Sequence, residues 1–260
     1  MKIICCIKQV PDTTEVRLDP VTNTLIRDGV PSIINPDDKA GIEAALRLKE
    51  QFGGTVTIVS MGPPQADVAI REALAMGADE GILLSDRAFG GADTWATSST
   101  IAAAIKKLEY DIIITGRQAI DGDTAQTGPQ LSEHLGIPVI SYTQELSIDG
   151  DSVIVKRQYD DRYHMLKSKM PVLLTALAEL NEPRYMTPGG IFEACAKEIT
   201  VWGRKDLQGV EDSNLGLKGS PTQIAKASDK VRKGKGETVN LDVAESVDYI
   251  MEKLLAKHVI

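Results

Sequence analysis

The sequence predicts an α/β fold in which a mostly parallel sheet carries helices on both faces, and three observations predict it. Short apolar runs recur along the first part of the chain, segments with helical periodicity separate them, and several turns rich in Gly, Asp and Thr fall where a strand hands over to a helix. Strands covered on both faces are expected as unbroken apolar runs, and these segments read that way.

The expected strands are Ile3 to Ile7, Thr55 to Ser60, Gly81 to Leu84, Asp111 to Thr115 and Pro138 to Ile140. Helical patterns lie between them at Asp37 to Gln51, Gln65 to Met76, Asp93 to Glu109 and Thr124 to Leu135. In the first helix Ile42, Ala45, Leu46 and Leu48 form an apolar stripe, while Asp37 and Asp38 stand at the end where the helix dipole favours negative charge. After Ile140 comes a β-hairpin region: Gln144 to Ile148, Ser152 to Gln158 and Arg162 to Leu166, with Asp149-Gly150 as a hairpin turn. Val172 to Leu177 returns as a core strand behind Pro171.

From Ile199 the chain turns polar and rich in Gly, Lys and Ser, notably Lys230 to Glu237, until a final amphipathic helix from Leu241 to Lys257. The stretch from Gly203 to Val239 has too few apolar residues to build a core. Residues 1–198 therefore read as the α/β domain, and residues 199–260 as an extended C-terminal arm, either disordered or laid over a partner, with the last helix docking on an apolar surface.

At 260 residues the chain is long enough for a substantial core, and its 42% hydrophobic and 25% charged composition is that of a globular protein. A net charge of -8 argues against a nucleic-acid binder, which needs a basic footprint, and favours a small-molecule or protein partner. The three cysteines, Cys5, Cys6 and Cys195, have neither zinc spacing nor the even count of a disulfide framework. Cys5 and Cys6 read as small buried hydrophobes of the first strand. The N-terminus enters an apolar strand at once and no run approaches about 18 apolar residues, so no membrane insertion and a cytoplasmic location are expected.

No Ser-His-Asp arrangement, nucleophile elbow, Walker loop, Gly-x-Gly-x-x-Gly turn or His-Glu-x-x-His pair is present. His134, His164 and His258 read as surface or packing residues. Redox work by this chain would need an organic cofactor to carry the electrons.

The main candidate for chemistry is the turn Gly116-Arg117-Gln118-Ala119-Ile120-Asp121-Gly122-Asp123-Thr124-Ala125-Gln126-Thr127-Gly128, after a strand and before a helix. Asp123 or Thr124 is placed to cap that helix, leaving first-turn N–H groups and the positive dipole end for an anion. A second turn, Gly90 to Ser99, has Asp93 or Thr94 as its cap and hydroxyls at Thr94, Thr97 and Ser98. Those hydroxyls suit a diphosphate or a sugar-like chain, and equally suit bonds back to the helix backbone. Both turns fall at the carboxyl ends of strands, where open α/β sheets bind ligands. Asn35-Pro36-Asp37-Asp38 and Ser60-Met61-Gly62-Pro63-Pro64 are two further turns that offer backbone polar groups and the side of Met61 to an adenine, or serve as loop punctuation.

These residues resemble the β subunit of electron-transfer flavoproteins. The resemblance covers nearly the whole chain and rests on Gln118-Ala119-Ile120-Asp121 through Gln126-Thr127-Gly128, on Ala73-Leu74-Ala75-Met76-Gly77-Ala78-Asp79, on Asn35-Pro36, and on Asn181-Glu182-Pro183-Arg184-Tyr185. It implies a Rossmann-like domain and a heterodimer whose α subunit holds one FAD and is embraced by the C-terminal arm. The resemblance puts the family's nucleotide positions on Cys6, on Asn35 to Asp38, on Met61 and on Gly116 to Thr127, with Gly116, Gln118, Asp121, Gly122, Asp123, Thr124, Ala125, Gln126 and Thr127 as the cofactor-binding candidates.

In the conventional branch that nucleotide is a structural AMP; in the electron-bifurcating branch it is a second FAD. The hydroxyl-rich turn Asp93-Thr94-Trp95-Ala96-Thr97-Ser98 is similar to the bifurcating branch, placing Asp93, Thr94 and Thr97 near the ribityl-diphosphate chain. The resemblance then implies that NADH reduces this flavin, and that its electrons divide between the α-subunit FAD, on to an acyl-CoA dehydrogenase, and a low-potential ferredoxin or flavodoxin. NADH-oxidising activity is expected only from the complex with the α subunit. In the family the segment after Asn181-Glu182-Pro183-Arg184-Tyr185 anchors the dehydrogenase, which implies that role for Pro188, Ile191 and Phe192. The following Glu193-Ala194-Cys195-Ala196-Lys197-Glu198 departs from the lysine-rich run of housekeeping members and points to a different dehydrogenase.

Overall fold

The computed structural model describes residues 1–12, 31–222, 234 and 236–260, in two compact units, Met1–Ala225 and Lys226–Ile260. The first unit is built on nine strands: β1 (Lys2–Ile7), β4 (Thr55–Met61), β5 (Glu80–Leu84), β6 (Ile112–Gly116), β7 (Val139–Asp149), β8 (Ser152–Gln158), β9 (Tyr163–Lys169), β10 (Val172–Ala176) and β11 (Thr200–Trp202). They lie in the order β11-β5-β4-β1-β6-β10-β7-β8-β9, and a small antiparallel pair, β2 (Gln9–Pro11) and β3 (Ser32–Ile34), stands apart. Every pairing from β11 to β7 is parallel; β8 runs antiparallel to both neighbours. This is the α/β architecture expected from the apolar runs.

Alternate residues of each strand feed different faces. On one face Ile3, Cys5, Ile58, Ile112 and Ile114 pack under α1 (Pro36–Phe52) and α2 (Asp67–Met76). On the other, Ile4, Cys6, Val59, Ile113 and Leu173 pack under α3 (Thr94–Ile105) and α4 (Thr127–Leu135). Both faces being covered is why the strands read as continuous apolar runs. Local signals set the helix ends: α1 starts with Pro36 at a position where a missing N–H costs nothing and stops at Gly53, whose φ is 72°. Gly41 lets α1 approach the sheet, since an added Cβ there would lie 2.8 Å from Ile114 Cγ2.

The chain runs outward from β1 to β4 and β5, then returns to β6 on the other side of β1. The strand order therefore reverses between β1 and β6, and open sheets of this kind place their ligand crevice at the carboxyl ends of such a strand pair.

The structure departs from the sequence reading in several elements. Helix α4 starts at Thr127 and not Thr124, because Asp123 and Ala125 adopt φ of 51° and 53°, outside helical geometry. Helix α3 ends at Ile105, short of Glu109. Strand β7 runs from Val139 to Asp149 through the expected gap, with Tyr142 at φ 57° as its irregularity. Strand β11 extends the sheet beside β5, and Leu207 and Leu215 are buried against the α3/α4 face. The low apolar content after Gly203 concealed this, because two leucines suffice to cap an existing core.

In the second unit α6 (Val243–Ala256) is capped by Asp242, whose carboxylate accepts from Glu245 N. Val243, Val247, Ile250, Met251 and Leu255 are exposed along it. Of the Lys230 to Glu237 run, residues 230–233 and 235 lie outside the described residues. Among the described residues no helix is long and apolar enough to cross a membrane, and no group of His, Cys, Asp or Glu is placed to hold a metal ion.

Candidate functional site

At the switch point β1 and β6 end side by side, and the first turn of α1 crosses their ends. Asp38 is buried there, and its carboxylate spans the two strands: Oδ2 accepts from the Lys8 amide at 2.7 Å and Oδ1 from the Gly116 amide at 2.8 Å. Burial pushes its pKa from 3.8 to about 7, with the Asp37 charge adding to the rise and the hydrogen bonds from Lys8, Asn35 and Gly116 opposing it. An added Cβ at Gly116 would overlap the Asp38 carboxylate, so only glycine brings the strand end this close.

Asn35, buried just before α1, pins the following loop from both sides of its carboxamide. Nδ2 donates to Gln118 O at 2.8 Å, and Oδ1 accepts from Ile120 N at 3.1 Å. Lys8 Nζ donates to both Asp121 oxygens, at 2.6 and 2.8 Å, and the Asp121 side chain is only 2% exposed. The side chains of Asn35, Asp38 and Asp121 are therefore engaged in shaping the loop.

Beyond Asp121 the loop opens. Gln118 Nε2 donates to the Asp123 carboxylate, and Asp123 and Ala125 sit in the left-handed region. The capping role expected for Asp123 or Thr124 is corrected here. Gln126 occupies the cap position, and its side chain makes no capping bond. Among the described residues the amides of Thr124, Ala125 and Gln126 have no hydrogen-bond partner, and those of Thr127 and Gly128 open α4. This row of N–H groups lies at the positive end of a helix, an arrangement that cradles anions. Gly128 seats the helix, because an added Cβ would come 2.7 Å from Thr115 Oγ1 and 2.8 Å from Thr175 Cγ2. Around Gly122 there is open space.

The second turn meets the first. Thr94 Oγ1 donates to Gln126 Oε1 at 3.1 Å, joining the first turns of α3 and α4. Thr97 is half-buried one turn along α3, whereas Ser98 and Ser99 donate back to Trp95 O and Ala96 O. Asp93 caps α3 by accepting from Ala96 N, and its other oxygen accepts from Thr222. Cys6 is buried at the end of β1, where burial and the Asp38 charge push its thiol pKa up and keep it protonated. Met61, half-buried, ends β4 next to Ser60, whose buried Oγ has no partner among the described residues.

The structure thus brings together the residues from Asn35, Asp38, Thr94 and Gly116 to Thr127, and sets Pro188, Ile191 and Phe192 elsewhere. The latter stand on α5 (Pro188–Ala196), which packs on α2, with Ile191 43% and Phe192 78% exposed. Arg71 holds the end of α5 by donating to Ala194 O at 2.8 Å, and Arg184 fixes the preceding segment on Glu43 and Glu50. A cavity of about 430 Å³ lies between the end of α2 and α5, beside the residues that lead into β5 and not at the carboxyl ends of the strands.

Sequence reasoning missed Lys8 and Thr222, and it named Arg117 only as a member of the turn. Lys8 directly follows the first strand, a position that signals the crevice mouth. Arg117 Nε lies 3.4 Å from Asp37 Oδ2, and its guanidinium is 5.9 Å from the Tyr142 ring. Burial raises the Asp37 pKa against the pull of Arg117. No sequence signal marks Thr222, whose partner Asp93 is remote along the chain.

Comparison with known proteins gives the family. The electron transfer flavoprotein domain model matches residues 22–207. The chain is 58% identical to the electron transfer flavoprotein subunit beta of Clostridium acetobutylicum, with all of both chains covered. It is 51% identical to the caffeyl-CoA reductase-Etf complex subunit CarD of Acetobacterium woodii, and 47% identical to the acryloyl-CoA reductase electron transfer subunit gamma of Anaerotignum propionicum, again over all of both chains. The strand-end crevice and its amide-lined loop are thus those of a chain that belongs to the electron transfer flavoprotein family, among its beta subunits.

Proposed function

We propose that this chain is the β subunit of an electron-bifurcating electron transfer flavoprotein and binds FAD at the switch-point crevice. The observation that carries the reading is the row of amides from Thr124 to Gln126, which have no partner among the described residues and run into the start of α4. Those amides bind the diphosphate, Thr94 and Thr97 face the ribityl side, and Gly122 leaves room. Asn35, Asp38 and Asp121 hold the loop in shape; Cys6 and Met61 give the adenine an apolar floor. Asp93 acts on the ligand through the first turn of α3, its own oxygens being engaged.

The residues fit a dinucleotide better than AMP alone because the Thr94–Gln126 bond sets two helix N-termini side by side, enough for a diphosphate with groups on both ends. When bound, FAD supplies hydride acceptance from NADH and one-electron delivery to other centres; the protein supplies binding, orientation and exclusion of water. The α subunit is the obligate partner, held by the arm and by the apolar stripe of α6. Pro188, Ile191 and Phe192 form the anchor for an acyl-CoA dehydrogenase, and ferredoxin or flavodoxin takes the low-potential electron. Relatives named for caffeyl-CoA and acryloyl-CoA reductases support a partner acting on CoA thioesters. The complex is placed in the cytoplasm.

The test is cofactor quantification on the co-expressed pair purified without oxygen, alongside an NADH titration. Two FAD per heterodimer, one of them reduced by NADH, is the expected result. One FAD with one extractable AMP assigns the conventional branch instead.

A further inference from the structure

The segment after β11 returns to the site. Between Leu215 and Thr222 it folds onto the turn that starts α3: Leu217 N donates to Gly90 O at 2.9 Å, and Asp93 N donates to Ser220 Oγ at 2.8 Å. Ser220 is buried and its hydroxyl donates in turn to Gly216 O at 2.8 Å. Gly216, at φ 55°, lies so close that an added Cβ would overlap the carbonyl oxygens of Ala88 and Gly90.

Asp93 is the hub of this contact. Oδ1 accepts from Ala96 N at 3.0 Å, which caps α3, while Oδ2 accepts from Thr222 N at 3.0 Å and from Thr222 Oγ1 at 2.5 Å. Burial opposes ionisation, yet the bonds from Thr222 and Ala96 hold the carboxyl below the usual carboxylate range. The next residue, Thr94, is the one that reaches Gln126 in the amide-lined loop. One carboxylate therefore touches the root of the C-terminal arm on one side and the ligand turn on the other.

We propose that Asp93 is a positioning residue that couples the two: a partner subunit engaging the arm holds Ser220–Thr222 in this contact with Asp93, this fixes the first turn of α3, and a dinucleotide in the crevice then binds tighter. This rests on the proposed function. Linkage makes the coupling reciprocal, so bound FAD strengthens the grip on the partner by the same factor.

Two variants separate the latch from the cap. Asp93→Asn retains a good helix cap, but its single carboxamide oxygen cannot serve both Ala96 and Thr222. Thr222→Val removes the hydroxyl donor from the opposite side, keeps the Thr222 amide bond and leaves the residues of α3 unaltered. The measurement is the affinity of the full chain for the α subunit, with and without saturating FAD. For the unaltered chain FAD is expected to tighten the complex about tenfold; in Asp93→Asn that factor falls to about one, and in Thr222→Val, which keeps the amide bond to Asp93, it falls part of the way, while Thr222→Val binds FAD in the absence of the α subunit as before. A factor that survives in both variants, or that is missing from the unaltered chain, overturns the coupling alone. A full chain that takes up neither FAD nor AMP, with or without the α subunit, overturns the nucleotide reading and the coupling with it.

Discussion

Asp38 Oδ1 lies 2.8 Å from the amide nitrogen of Gly116, so a residue of the first helix closes the end of a strand 78 positions away. Neighbouring parallel strands splay at their ends where a chain reverses its winding, and this carboxylate bonds to both of them.

That contact has a pH signature. The folded-state pKa of Asp38 is raised from 3.8 to about 7, chiefly by burial, so between those values the native state binds more protons than the unfolded chain. Stability from this group is accordingly present below about pH 4 and lost as pH rises towards 7, by as much as about 4 kcal/mol. Asp38→Asn, which does not titrate, should flatten the fall in urea midpoint between roughly pH 4.5 and 7.5. An unchanged slope would remove Asp38 as its source.

Asn35→Ala leaves Gln118 O and Ile120 N without their partner. We expect a loss of about 1–3 kcal/mol in denaturant unfolding, and a β-site cofactor content that falls further than α-subunit FAD content. Equal loss of both would mean general instability and not a loosened loop.

Ala125 holds φ 53° at a position where glycine is unstrained. Ala125→Gly should raise stability by about 0.5–1 kcal/mol, provided the loop keeps its shape, and FAD content should hold. A drop in thermal midpoint would show that the left-handed conformation carries no strain here.

Phe192 is exposed and its neighbour Ala194 is the residue of α5 that reaches the core. Phe192→Ser should therefore leave the thermal midpoint within about 1 °C and slow electron exchange with the dehydrogenase at least tenfold, as expected for an interface anchor. Stopped-flow mixing of the two purified proteins distinguishes this from a neutral substitution.

Much of this molecule was legible in the sequence. Runs such as Ile3 to Ile7 and Asp111 to Thr115 appear as strands because apolar side chains on both faces leave little room for another state. What escaped were short elements that borrow their stability. Strand β11 exists because β5 offers it an edge, and β2 and β3 exist only as each other's partner. The site was legible as positions but not as roles. Asn35, Asp38 and Asp121 all fall in the crevice, yet nothing local reveals that Asn35 answers to Gln118, or Asp121 to Lys8, since those bonds close only in the folded chain. The start of α4 was misplaced for a related reason: Asp and Thr favour helix caps, and the left-handed turns at Asp123 and Ala125 override that preference.

Because Asn35 and Asp38 peg Gly116, Gln118 and Ile120 through their backbone atoms, that stretch gives up its conformational freedom when the chain folds. A visiting molecule meets this part of the mould already formed, and the protein has no such entropy left to surrender there. Encounter then sets how fast capture occurs, and escape is governed by the grip of the mould itself.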